Sequence, residues 1–369
     1  MEHPPRNIVE SSFECSQERE AENRICIFQN IFLWQGEVWF VTRNVSLELP
    51  RVAIDFRVIT EHAFLQPKVT SPEGMAAAMQ SAKDIVDWSS HKDEVHVWSG
   101  AVKNYGHFLG EDMPSLYNTL CKDLGRCAPG NTSGLHLVLR RQRMFSWPGY
   151  VDAAMACLAE SRLVNMLAPS MQETMFVVRR LHMGVGTDCR AAIFCRAYNK
   201  HPIAAQRYRA YRSGMAQCLG IDPSFTAPTA PKMKVLVVDR LYSSGRHFLN
   251  IQEVVRGLEE RYGSIADVEL HYMENRTLLE QAHLWNSASV AIHMHGASLG
   301  NWAFLPHKAV GVHVTLDRIG NAFAHHFEQD LKEVTNISAV LVDVKFHPNV
   351  VLRIRQFEKS MEWREELTP

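Results

Sequence analysis

Residues 290–306 read VAIHMHGASLGNWAFLP, and the fold turns on this stretch. VAIHM is an apolar run of strand length, the turn after it is built of small residues, and SLGNWAFL is an apolar segment compatible with a helix. A strand turning tightly into a helix is one β/α unit. Small residues there let bare backbone N–H groups approach a ligand, and the N-terminus of the following helix favours an anion. The stretch also contains Gly296-Ala297-Ser298-Leu299-Gly300, the G-x-S-x-G pattern of a serine nucleophile elbow. One loop thus supports two chemistries.

Outward from this unit the C-terminal half alternates. VLVVD (235–239), VELHY (268–272), AVGVHVT (309–315) and AVLVDV (339–344) are further apolar strands. Between them the pattern predicts helices over 251–262, 277–286, 298–305 and about 321–334, with one more near 350–363. Asn250 is placed to cap the first, with Glu253 completing a capping box. Short apolar strands alternating with helices predict a parallel sheet covered on both faces, a Rossmann-like domain. The G-x-G-x-x-G fingerprint of dinucleotide binding is absent from the sequence.

The segment 222–234, with Pro223, Pro228 and Pro231 and no apolar period, reads as a linker. It divides the chain into residues 1–228 and 229–369. The first half is less regular. IFQNIFLW and EVWFV, joined by Gln35-Gly36, predict a hairpin, and EVHVW (94–98), LHLVLRR (135–141) and MFVVRR (175–180) predict core strands. Helices fit 106–120, 150–166 and 203–219. The fold class is α/β: two facing Rossmann-like domains with an N-terminal β extension. Ligands in such sheets bind beyond the carboxyl ends of the strands.

A length of 369 residues, 46% of them hydrophobic, is enough for two cores of ordinary size. The net charge of −1 gives no electrostatic support for nucleic-acid binding. No segment reaches the roughly 18 apolar residues of a membrane span. The N-terminal MEHPPRNIVESSFE is too polar for a signal peptide. The eight cysteines lack metal-type CxxC spacing, and N-x-[ST] sequons begin at Asn44, Asn131, Asn275 and Asn336. Together these point to the lumen of the secretory pathway, Golgi or endoplasmic reticulum. Any membrane attachment is expected from a targeting segment absent from this chain.

Three clusters carry candidate chemistry. At 290–306, a hydrolase would use Ser298 as nucleophile, with Asp317 or Asp343 and His325, His326 or His347 as later partners. An anion site would instead use the loop backbone with Arg240 and Arg246 from VVDRLYSSGRHFLN. Two guanidinium groups over free N–H groups suit a diphosphate, because arginine pairs phosphate oxygens with charge-assisted hydrogen bonds. The third cluster is NYGHFLGEDMP, residues 104–114. On a helix His107 and Glu111 share a face, and a histidine beside a carboxylate can serve as a general-base pair.

In this order the clusters resemble glycosyltransferase family 61. The family pattern H-G-A-G-L-[T/S]-[N/H]-x-x-F-L-P is met by His295, Gly296, Ala297, Leu299, Asn301, Phe304, Leu305 and Pro306, with Ser298 in place of the usual glycine. Its R-x-x-x-R-x-x-x-N block resembles Arg240, Arg246 and Asn250, with the first arginine spaced more widely. Its N-x-x-H-x-x-x-[D/E] block resembles Asn104, His107 and Glu111, and Cys26-x-Phe-x-Asn30 resembles the family's cysteine-containing strand. His313 stands where the family usually carries Glu.

The resemblance implies an inverting, metal-independent glycosyltransferase of GT-B type. It would move a sugar, GlcNAc or a pentose, from a UDP-sugar to a hydroxyl of a protein or polysaccharide. Arg240, Arg246, Asn250, His295–Leu299, Asn301 and His313 would hold the nucleotide sugar. Asn104, Tyr105 and Asp112 would face the acceptor, with Glu111 or His107 as base. No further cofactor is implied. A serine hydrolase and a non-catalytic nucleotide-sugar or glycan-binding module are the alternatives.

Overall fold

The computed structural model describes residues 8–17, 24–55, 64–99, 105–125, 133–140, 149–159, 164–184, 202–225, 231–241, 247–316 and 337–344. The chain forms two compact units that are not cut at a single point. Unit 1 is Met1–Lys103 with Ser115–Arg190, and unit 2 is Asn104–Pro114 with Ala191–Pro369. Residues 104–114, read from sequence with the N-terminal half, thus pack with the C-terminal half.

Unit 1 holds β1 (Ser12–Cys15), β2 (Cys26–Trp34), β3 (Glu37–Val41), β4 (Val52–Ala53), β5 (Phe64–Leu65), β6 (Lys68–Thr70), β7 (Asp84–Trp88), β8 (Glu94–Trp98), β9 (Leu135–Leu139), β10 (Val164–Asn165) and β11 (Thr174–Met183). Nine of them form a mixed sheet in the order β10-β9-β8-β11-β2-β3-β6, with β1 on β2 and β7 on β11. The predicted hairpin is β2–β3. Gln35 and Gly36 both take positive φ, 51° and 76°, as a two-residue turn matched to strand twist requires. The N-terminal β1 lies antiparallel to β2, with Cys15 opposite Cys26, and a disulfide joins them. Closing so short a loop stabilises by about 3 kcal/mol in the chain-entropy account. Cys157 and Cys218 are also disulfide-bonded. One sheet face buries Phe28, Ile31, Val95, Val97, Leu181 and Met183 in a common core.

The helices are α1 (Pro72–Ser81), α2 (Tyr105–His107), α3 (Met113–Leu124), α4 (Gly149–Met155), α5 (Pro202–Cys218), α6 (Ile251–Tyr262) and α7 (Leu278–Asn286). A π turn, Phe108–Asp112, links α2 to α3. The helix expected over 150–166 ends at Met155, because residues 156–158 form a turn and Val164 begins a strand pairing with β9. Among the described residues no helix is long and apolar enough to cross a membrane.

Unit 2 carries the predicted alternation: β12 (Met233–Asp239), α6, β13 (Ala266–Tyr272), α7, β14 (Val290–Met294), β15 (Val310–Leu316) and β16 (Ser338–Val344). Its five strands are all parallel in the order β13-β12-β14-β15-β16. The apolar runs meet in a core of Val235, Val237, Val254, Leu258, Ile292, Val312 and Val314.

Two local expectations differ. The capping box falls at Thr277–Glu280, which exchange both hydrogen bonds, and not at Asn250. Asn250 does precede α6, but its ψ of 36° is not the extended backbone of a side-chain cap, and it makes no capping bond. The segment after β14 is a 3₁₀-helix, Ala297–Phe304, where an α-helix was expected. It is long for that form, and tertiary contacts described below hold it. The helices expected near 321–334 and 350–363 lie outside the described residues.

Candidate active site

In unit 2 the chain order places strand one, β12, between strand two, β13, and strand three, β14. The connections leave β12 and β14 towards opposite sides, so their carboxyl ends flank the topological switch point where open α/β sheets take ligands. Val238 of β12 is in register with His293 of β14. Arg240 follows β12, and His295-Gly296 follows β14. A Cβ on Gly296 would fall on the Arg240 guanidinium, so that side chain lies directly against the loop backbone.

Asp239 anchors the β12 side. It is buried, and its Oδ1 accepts from the Phe248 N–H at 3.0 Å, tying the end of β12 to the residues just before α6. Burial raises its pKa, while the backbone N–H groups of Arg240 and Phe248 pull it back. Glu274 Oε1 accepts from the Leu241 N–H at 3.0 Å.

The β14 side is anchored by histidines. The buried Trp302 indole donates to His293 Nε2 at 2.7 Å. An indole can only donate, so Nδ1 carries the His293 proton and donates to the Met294 carbonyl at 3.0 Å. His313 is paired with His293 across β14 and β15, and their rings stack at 5.2 Å. His295 stacks on the other side at 5.1 Å, and its Nδ1 lies 3.1 Å from His313 Nε2. Three imidazoles thus run from the sheet to the crevice loop. Burial holds His293 down at about 3 and His313 well below the usual histidine value.

The 3₁₀-helix is held at its C-terminal end and in its middle. The buried Arg212 guanidinium of α5 donates to the Ala303 carbonyl at 2.9 Å and the Leu305 carbonyl at 2.5 Å. These are carbonyls a helix end leaves unpaired. Burial lowers the Arg212 pKa to about 10, still a cation at neutral pH. In its middle, Asn301 is fully buried with both sides of its amide engaged. Its Oδ1 accepts from Tyr105 Oη at 2.5 Å, and its Nδ2 donates to Gln281 Oε1 at 3.0 Å.

The same contacts bring the 104–114 cluster to the loop. A Cβ on Gly106 would sit 2.9 Å from Ala297 Cα, and one on Gly300 would sit 3.3 Å from Gly106 Cα and 3.1 Å from Leu109 Cβ. The two glycines let the backbones of α2 and the 3₁₀-helix touch. Tyr211 of α5 donates to the Leu109 carbonyl at 3.1 Å, satisfying one acceptor of the π turn. Such turns recur at functional sites.

Of the residues picked from sequence, unit 2 therefore contains Tyr105, Asp112, Arg240, Asn250, His295–Leu299, Asn301 and His313. Asp112 is buried in the π turn. The Asn250 Oδ1 is buried with no hydrogen-bond partner among the described residues. The backbones of His107 and Glu111 lie in α2 and the π turn, and their side chains are outside the description. Asn104 and Arg246 are also outside it, as are Asp317, His325, His326 and His347 of the hydrolase alternative. Ser298 lies in the first turn of the 3₁₀-helix and is buried. Sequence reasoning did not find His293, Asp239, Arg212 or the Gly106–Gly300 contact. The one available signal was a glycine within each motif, Gly106 and Gly300.

No curated protein matches the chain. The family model described as Glycosyltransferase 61 matches residues 105–312, more than half of the chain. The match starts at the first residue of α2 and ends one residue before His313, so it spans the π turn, Arg240 and the whole 3₁₀-helix. By that match the chain belongs to the glycosyltransferase 61 family.

Proposed function

We propose that this glycosyltransferase binds a UDP-sugar at the β12/β14 switch point and transfers the sugar, GlcNAc or a pentose, with inversion. The acceptor is a hydroxyl of a protein or glycan, and the class is GT-B with no metal ion required. The observation that carries the reading is the Arg240 guanidinium lying against the Gly296 backbone at the carboxyl ends of β12 and β14. A diphosphate there meets a cation and the N–H groups at the start of a helix.

In the reaction the acceptor oxygen attacks the anomeric carbon as the bond to the β-phosphate oxygen breaks. Glu111, oriented by His107, takes the acceptor proton, a role worth about 10²–10⁴-fold. Arg240, Arg246 and the 295–300 backbone stabilise the charge gathering on the leaving diphosphate. The closeness of Gly106 to Ala297 supports a base in the adjoining π turn. Asn301 and Tyr105, bonded to each other, act by positioning the loop. Enzymes of this family work in the secretory pathway, and the Cys15–Cys26 disulfide fits that setting. The Golgi and the endoplasmic reticulum are both compatible compartments.

Calorimetric titration with UDP tests the reading. Arg240→Ala is expected to weaken UDP binding tenfold or more, since hydrogen bonds to charged groups contribute about 1.5–3 kcal/mol. Unchanged affinity in Arg240→Ala would remove the diphosphate from this crevice. A donor panel of UDP-GlcNAc, UDP-xylose, UDP-arabinose and GDP-sugars then identifies the sugar.

A further inference from the structure

Two of the four sequons lie in described, exposed turns, and each has an exposed apolar residue close to it in sequence. Asn44-Val45-Ser46 occupies the turn after β3, closed by the Leu47 N–H donating to the Asn44 carbonyl at 3.0 Å. Asn275-Arg276-Thr277 occupies the turn between β13 and α7, closed by the Arg276 N–H donating to the Met273 carbonyl at 3.1 Å. Asn44 and Asn275 are exposed, and neither side-chain amide makes a hydrogen bond among the described residues. Asn30, Asn286 and Asn301 behave differently: each spends its amide on a tertiary hydrogen bond.

The apolar surroundings are specific. Val45, the middle residue of the first sequon, is 57% exposed. Around the second, Tyr272 is 37% and Leu279 46% exposed. Leu241, 40% exposed, is tied to the same turn by its N–H bond to Glu274. A hydrated glycan on the adjoining asparagine shields such exposed apolar side chains.

We propose that Asn44 and Asn275 carry N-linked glycans in the mature protein. In the modification the Asn Nδ2–C1 bond forms and the C1–O bond to the diphosphate of a lipid-linked oligosaccharide breaks. The amide proton leaves to the base of the separate transferase that performs the step. That transferase reads the hydroxyl two residues on. At Asn44 this is Ser46, which is exposed in the folded turn. At Asn275 it is Thr277, whose hydroxyl in the folded protein caps α7, donating to Glu280 Oε2 at 2.8 Å and accepting from the Glu280 N–H at 3.2 Å. Asn275 is therefore modified on the nascent chain before α7 closes, whereas Asn44 remains open after folding. The inference needs passage through the secretory pathway but does not depend on the donor or the base.

The test is peptide mapping of the full chain secreted from a eukaryotic host, after amide-cleaving glycosidase treatment in ¹⁸O water. Conversion of Asn44 and Asn275 to ¹⁸O-labelled Asp is expected. Slowing folding by adding a reductant during synthesis is expected to raise occupancy at Asn275 and leave Asn44 unchanged. Unlabelled Asn44 or Asn275 in a preparation whose Cys15–Cys26 disulfide is intact would overturn the assignment at that site. Equal response of both sites to the reductant would overturn the ordering.

Discussion

Acid should weaken unit 1 through a histidine pair that plays no part in the proposed chemistry. His96 of β8 and His182 of β11 face each other in register, both buried, and none of their four ring nitrogens has a hydrogen-bond partner among the described residues. The neighbouring pair on the same strands, Glu94 and Arg180, is an ion pair at 3.1 Å. Burial pushes His96 down to about 4; burial, then His96, then Arg180 push His182 down to about 3. Both rings are neutral in the folded protein, and in the unfolded chain each takes a proton near pH 6.5. Between those values the unfolded state binds more protons, so stability is full above about pH 6.5 and falls as the pH drops towards 4. At pH 5 each histidine has lost about 2 kcal/mol, and the pair about 4, a large part of a typical 5–15 kcal/mol. Urea unfolding at pH 7.5 and pH 5, followed through the first transition, measures this. In His96→Leu the loss between the two pH values should shrink by about 2 kcal/mol. Other histidines titrate in both proteins and cancel in the comparison. An unchanged pH dependence in His96→Leu would refute the reasoning.

The other expectations concern unit 2. Glu111→Gln should cut transfer by at least about 10²-fold with UDP affinity nearly intact, read by product formation and calorimetry; surviving transfer takes the base role away from Glu111. Gly106→Ala should destabilise by about 1–3 kcal/mol, because the new methyl meets the Ala297 backbone at 2.9 Å. That outweighs the roughly 1 kcal/mol that alanine gains over glycine in a helix. A weaker UDP titration should accompany the shift, although no ligand-facing atom is removed; a stabilised variant with normal UDP binding would show that the two backbones do not touch.

The β/α alternation of unit 2 was legible because each strand is a short run of Val, Ile and Leu and each helix follows a clear break. Strand VAIHM matches β14 residue for residue. The hairpin was legible because Gln35-Gly36 sits between two apolar runs of strand length. What escaped the sequence depends on tertiary contact. The 3₁₀ form of 297–304 follows from Arg212, more than 80 residues earlier, taking its terminal carbonyls. The grouping of 104–114 with the C-terminal half follows from two glycines and from the Tyr105–Asn301 and Tyr211–Leu109 hydrogen bonds, all between residues far apart in sequence. His293 reads in sequence as an ordinary strand residue. Only the Trp302 hydrogen bond and the His313 stack reveal its part in the site.

These contacts also give a physical reading of His313. A carboxylate at this buried position, beside His295, would bring a negative charge under the crevice loop. An imidazole stacked between two others does not: burial keeps both His293 and His313 neutral at physiological pH. Arg240 is close enough to help lower His293, so its field reaches the column. With neutral rings beneath it, the loop gains no further negative charge from the β14–β15 side to set against Arg240. Compared with a carboxylate at this position, His313 gives His295 a neutral partner, 3.1 Å away. If the crevice takes the proposed diphosphate, UDP binding is expected to depend more steeply on salt in this protein than in its His313→Glu variant, measured by titration at low and high ionic strength; an equal salt dependence would refute this reading.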